Sequence, residues 1–294
     1  MPNPQTGVIH DIGYRHYTGP RLGRGAIVRS LFVQSLRGAY GLGRSAKSKV
    51  MPILLLVVMC LPAVVIAAVV NGLKLKEQPL PYTRYAIVLQ AVVAIFVAAQ
   101  APQLVSRDLR FRLTSLYFSR PLGRLDYVVG KYAAMVCALL VLLVAPLTIL
   151  YGGALLARLP VGAETRHFLL GVAGAVLFAL VLAGMGLLIA AFTPRRGFGV
   201  AAVIAVLLVT YTGVSVVQGI AHEQGKDTVA GYAGLFSPFT LVDGLQVWLL
   251  NAEPSTPAGP PGTIGGLIFL ATAVALVAGS FALLVLRYRK VSIS

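Results

Sequence analysis

Charge is scarce in this sequence. Asp, Glu, Lys and Arg together make up 12% of its 294 residues, about half the share of an ordinary soluble domain. Acids are the scarcer sign, nine against 25 basic residues. There are two cysteines, Cys60 and Cys137, each inside an apolar run. That number and spacing point to neither a disulfide framework nor a zinc site, and both thiols read as small packing residues. His10 and His16 have no Cys, Asp or Glu cluster around them, so they read as part of a solvated arm. H-E-x-x-H and G-x-S-x-G are both absent, which removes the usual signatures of metalloprotease and serine-hydrolase chemistry. A phosphate-binding G-x-x-x-x-G-K-[ST] is absent too: Lys131 is followed by Tyr132 and Lys226 by Asp227. The chain therefore has no Walker A loop of its own with which to bind ATP.

What is abundant is apolar sequence, 57% of the chain. Six runs, at residues 50–70, 85–105, 132–157, 168–192, 198–220 and 263–286, reach the roughly 20 residues that cross a hydrocarbon core of about 30 Å. The expected fold class is therefore an all-α polytopic membrane protein with six transmembrane helices. No cleavable signal peptide is expected, because the first apolar run starts only after a long polar and basic stretch.

The net charge of +16 invites a nucleic-acid reading, but its distribution opposes it. Segments 1–49, 106–131, 193–197 and 287–294 hold 19 of the Lys and Arg residues and three acids. Segments 71–84, 158–167 and 221–262 hold six of each. This asymmetry is the positive-inside pattern and predicts a cell membrane protein with both termini in the cytoplasm. No nucleic-acid partner is expected; the lipid bilayer is.

Residues 1–23 read as an irregular cytoplasmic arm. Within 24–49, Ile27, Val28, Leu31, Phe32 and Leu36 recur at helical spacing, with Arg24, Arg29, Gln34 and Arg37 largely elsewhere. This predicts an N-terminal interfacial helix, its apolar face in the acyl boundary; the alternative is an amphipathic helix packed on a partner protein. Residues 50–286 form the transmembrane domain and 287–294 a cytoplasmic tail. Small residues four apart (Gly171, Ala175, Ala179 and Ala183; Gly197, Ala201 and Ala205; Ala271, Ala275 and Gly279) suit close helix–helix approach in lipid. In the outer loop 221–262, a short extracytoplasmic helix with Trp248 at interface depth is expected before the last span. Residues 251–262 are expected to be a flexible return.

The six runs contain no Asp, Glu, Lys, Arg or His. Ion-coupled transporters commonly hold such residues at membrane depth, so secondary transport is disfavoured. Energy for any transport must then come from another chain. The cytoplasmic loop 106–131, SRDLRFRLTSLYFSRPLGRLDYVVGK, offers a place to receive it. Leu109, Leu113, Leu116 and Tyr117 predict a short helix with one apolar stripe, Arg107, Arg110 and Arg112 surround it, and Pro121 ends it. Asp108 near its start suits the positive helix end.

Asp108, Thr114, Pro121, Arg124, Gly130 and Lys131, in that order, resemble the coupling-helix signature of ATP-binding-cassette (ABC) permeases of the type-2 exporter class. Leu113 departs from it, standing where a small, glycine-like residue is expected. The resemblance implies a non-catalytic permease subunit without cofactor, whose coupling helix docks in a groove of a separate ABC ATPase. Leu113, Leu116 and Tyr117 would be the apolar anchor, and Arg110, Arg112 and Arg124 would pair with acids of the ATPase or with lipid phosphates. It also implies a second permease copy or a related permease, with a path lined by the second and fifth spans. Candidates there are Gln90, Gln100, Thr210, Tyr211, Thr212 and Ser215, or else these groups form interhelical hydrogen bonds worth about 1 kcal/mol each. A membrane anchor recruiting a cytoplasmic partner, and less readily a secondary transporter, are the alternative functions.

Overall fold

The computed structural model describes residues 19, 23–43, 45–106, 108, 122–193 and 195–291. The expected coupling helix and most of the N-terminal arm lie outside them. Helix is the regular secondary structure of the described residues, with no strand among them. The elements are α1 (Arg24–Ala39), α2 (Ala46–Gly72), α3 (Tyr85–Val88), α4 (Gln90–Leu104), α5 (Arg124–Leu156) and α6 (Val161–Phe192). Then follow α7 (Arg196–Ile204), a π-helical turn (Ala205–Val209), α8 (Thr210–Glu223), α9 (Asp227–Ala233), α10 (Pro238–Leu250) and α11 (Gly262–Val291).

Five stretches are long and apolar enough to cross a membrane: α2, α5, α6, Gly197–Glu223 and Gly262–Arg289. The shortest have 27 residues, or about 40 Å at 1.5 Å per residue. The apolar run at 85–105 is divided. Leu89 (φ −103°, ψ 23°) leaves the helical region and separates the single turn of α3 from the 15 residues of α4.

In water the core is apolar and the surface polar; here the surface is apolar as well. Val50, Leu54, Leu61, Phe198, Val209 and Ile264 are all exposed, a distribution that suits lipid as solvent. Polar and apolar faces therefore do not decide which helices are central. Size does: the Ala-rich α4 and the Ala- and Gly-rich α6 are largely enclosed, while α2, Gly197–Glu223 and α11 keep most of their surface outward. Small side chains let backbones meet. A Cβ on Gly153 of α5 would stand 2.4 Å from the Ala67 Cβ of α2, and Asn71 Nδ2 donates to the Gly153 carbonyl at 3.0 Å.

Of the three small-residue rows, that of α6 is used within the chain: Gly171, Ala175, Ala179 and Ala183 are buried. Gly197, Ala201 and Ala205, like Ala271 and Ala275, face outward.

The apolar stripe of α1 is partly covered by α5. Leu31 and Ala39 are buried, Leu31 sits over Gly130 of α5, and Tyr40 Oη donates to the Ala138 carbonyl at 2.7 Å. With Arg24 bonded to Asp126, the helix runs alongside the first half of α5, in the same direction. Ile27, Val28, Phe32 and Leu36 of the same stripe stay half-buried.

Segment 221–262 holds a short helix before the last long one: in α10, Pro238 through Gln246 are all enclosed. Trp248 packs on Gly266 of α11, where a Cβ would come within 2.3 Å of the indole. The 251–262 return is not left loose, since Ser255 N donates to Asp243 Oδ2 at 3.1 Å. α10 lies outside the membrane-crossing helices, and burial raises the Asp243 carboxyl above its ordinary pKa, partly offset by its bonds to Ser255 and Thr256 and by Arg84.

Candidate functional site

The first two turns of α5 are a junction. Tyr127 and Lys131 are four residues apart and so share one face. Both are buried, and both reach the same oxygen: Lys131 Nζ is 2.8 Å from Asp108 Oδ2, and Tyr127 Oη donates to it at 2.7 Å. The Lys131 ammonium also lies 5.5 Å from the Tyr127 ring centroid. On the far side of that ring, Tyr288 of α11 packs edge-on at 4.8 Å.

A second face holds α1. Arg24 grips Asp126 twice, Nη2 to Oδ1 at 2.9 Å and Nε to Oδ2. Gly123 N donates to the same Oδ2 at 3.0 Å, so Asp126 also caps the exposed amides of the helix start. Arg124, on the exposed side, lines an open groove of about 440 Å³ with Leu122, Val285 and Arg289. Ser106 Oγ donates to the Ala190 carbonyl of α6 at 2.8 Å, fixing the end of the 85–105 run.

Asp108 and Lys131 stand near the two ends of segment 106–131. A buried ion pair is held by its partners' mutual compensation, and removing one leaves an uncompensated charge. The loop 109–121 therefore leaves the helices from a bonded base, and that base touches α5 and α11 together. Short, buried contacts thus join Asp108, at the start of that segment, to two long helices, α5 and α11.

Among the sequence-predicted coupling residues, Asp108, Arg124 and Lys131 are placed here. Arg110, Arg112, Leu113, Thr114, Leu116, Tyr117 and Pro121 lie outside the described residues. Asp108 bonds Lys131 and Tyr127; the helix start it is expected to serve lies outside the described residues. Tyr288 escaped notice because it sits in the charged segment after the last apolar run, whereas α11 continues to Val291. The Arg24–Asp126 pair joins positions 102 apart, for which a single sequence has no local signal.

The path candidates do not form one constellation. Gln100 of α4 is fully buried with neither amide atom partnered among the described residues, and Gln90 Oε1 is likewise without a partner. Thr210 Oγ1 returns its proton to the Val206 carbonyl inside the π-helical turn. Tyr211 packs edge-on to Phe239 at 6.2 Å. Thr212 is exposed and Ser215 half-buried on the same helix. No described hydrogen bond joins any two of these side chains.

The geometry defines a helical, multi-pass membrane protein. Compared with protein-family models and with curated proteins, the chain matches none of them.

Proposed function

We propose that this chain is the membrane-spanning subunit of an ATP-driven ABC exporter, acting without an active site or cofactor of its own. It sits in the cell membrane with both termini cytoplasmic, and α3 with α4 serves as the second of six spans. The observation that carries this reading is the bonded base of loop 106–131, where Lys131, Tyr127 and Asp108 meet against Tyr288. A loop that only reversed the chain would need no buried ion pair beneath it; a loop that transmits force needs a stiff root.

On this reading the 109–121 segment docks on a separate ATPase through Leu113, Leu116 and Tyr117. ATPase closure moves it, and the motion passes through Lys131 and Tyr127 to α5, through Tyr288 to α11 and through the Arg24–Asp126 pair to α1. A second copy or a related permease covers the outward small-residue row of Gly197–Glu223. The exposed Thr212 and the π-helical turn before it, a feature frequent at functional sites, then face the substrate path.

The test is co-purification with a candidate ABC ATPase co-expressed with this chain, comparing wild type with Leu113→Asp, Leu116→Asp. The expected result is that wild type retains the ATPase and the double variant loses it while inserting normally. Equal retention by both would leave the membrane-anchor reading in its place.

A further inference from the structure

On its outer side, the seam between α1 and α5 opens into a slot of about 570 Å³, lined chiefly by Val28, Phe32, Val129 and Ala133, with Arg24 and Asp126 toward its start and Arg29 between Val28 and Phe32 along α1. The Asp126 carboxylate is already bonded twice by Arg24, so that pair adds no net charge. Arg29 is different: it is exposed and has no partner among the described residues. It also lines the neighbouring groove along α1 with Arg37. The slot thus offers an apolar floor and one uncompensated cation at its rim.

Its depth agrees with that division. The apolar run of α5 begins at Tyr132, so Val129 lies roughly 5 Å before it and Ala133 just inside it at 1.5 Å per residue. The apolar walls therefore reach into the acyl region while Arg29 stands at the level of the headgroups, where arginine attracts anionic lipid. We propose that the α1–α5 slot is a binding site for an anionic phospholipid, with the phosphate on Arg29 and an acyl chain along Phe32, Val129 and Ala133. This rests on the membrane reading alone and not on the exporter proposal.

The full chain in detergent is titrated with phosphatidylglycerol, phosphatidylcholine and inorganic phosphate, and bound lipid is counted by native mass spectrometry. The wild type is expected to take one phosphatidylglycerol in preference to phosphatidylcholine. Arg29→Gln should weaken it about fivefold, the effect of one surface cation. Arg29→Lys should retain most of the affinity. Arg37→Gln removes an equal charge that lines only the neighbouring groove and should bind like wild type. Equal binding of the two lipids by wild type overturns the site whether or not any variant folds. So does equal weakening by Arg37→Gln, which means diffuse attraction, or displacement by inorganic phosphate at matched concentration, which means a free-phosphate site. An Arg29→Gln chain that binds phosphatidylglycerol normally but loses the ATPase would assign the cation to the protein partner instead.

Discussion

Lys131 and Asp108 show what a buried charge costs when its partner goes. Lys131→Ala leaves Asp108 enclosed and unpaired, so stability should fall by about 3–5 kcal/mol, read as a lower thermal midpoint in detergent. The double variant Asp108→Asn, Lys131→Met removes both charges and should recover most of that loss. If the double variant is no better than the single one, the pair is not the main contact at the junction. Asp243 gives a pH test. Its carboxyl is raised by burial, so the fold binds that proton more tightly than the unfolded chain does. Its contribution is fully present below the ordinary carboxylate pKa and is lost as pH rises through the raised value. Asp243→Asn should therefore raise the midpoint at neutral pH and give a smaller change than wild type between pH 4 and 8. A variant whose midpoint tracks wild type across that range would show that Asp243 is not the group that titrates there.

Helices are where the sequence was most legible and where its limits are plainest. Apolar length foretold α2, α5, α6, Gly197–Glu223 and α11, because crossing lipid demands length. It did not foretell the division at Leu89, which apolar length does not mark. The stripe of α1 was visible at helical spacing, yet spacing says nothing of what lies opposite, and α5 lies there. Likewise three small-residue rows looked alike, and only the row on α6 is enclosed by its own chain. At the candidate site, Asp108, Arg124 and Lys131 were legible as charges flanking a loop. Tyr127 lies one turn before Lys131 on the same face, but that spacing does not show that both reach Asp108; Tyr288 was not legible, since pairing across distant segments leaves no local pattern. Close approach is testable at one point: Gly153→Val drives a branched side chain into the Ala67 Cβ. Overpacking of this kind costs about 1–3 kcal/mol, so the midpoint should drop. Ala67→Gly in the same chain should restore part of it if the α2–α5 contact is the cause.

At the scale of the whole molecule, the outward row of Gly197, Ala201, Ala205, Thr212 and Gly213 is the surface a second copy would cover. In a background lacking Cys60 and Cys137, Thr212→Cys should give a disulfide-linked dimer when membranes are treated with a mild oxidant. Val50→Cys, on the exposed face of α2, should not. Equal cross-linking at both positions, or none at Thr212, would remove the symmetric pairing from the proposed function.

The Asp108–Lys131 bond turns residues 108–131 into a closed ring whose clasp belongs to the helical bundle. Closing a longer ring costs only about 0.6 kcal/mol more for each doubling of its length, and the described partners of the clasp, Tyr127 and Tyr288, both lie on long helices. The tip can therefore change in length and sequence while the bundle below it keeps its packing. Fit to a partner and fit within the membrane are thereby separable problems, each open to change without refolding the other.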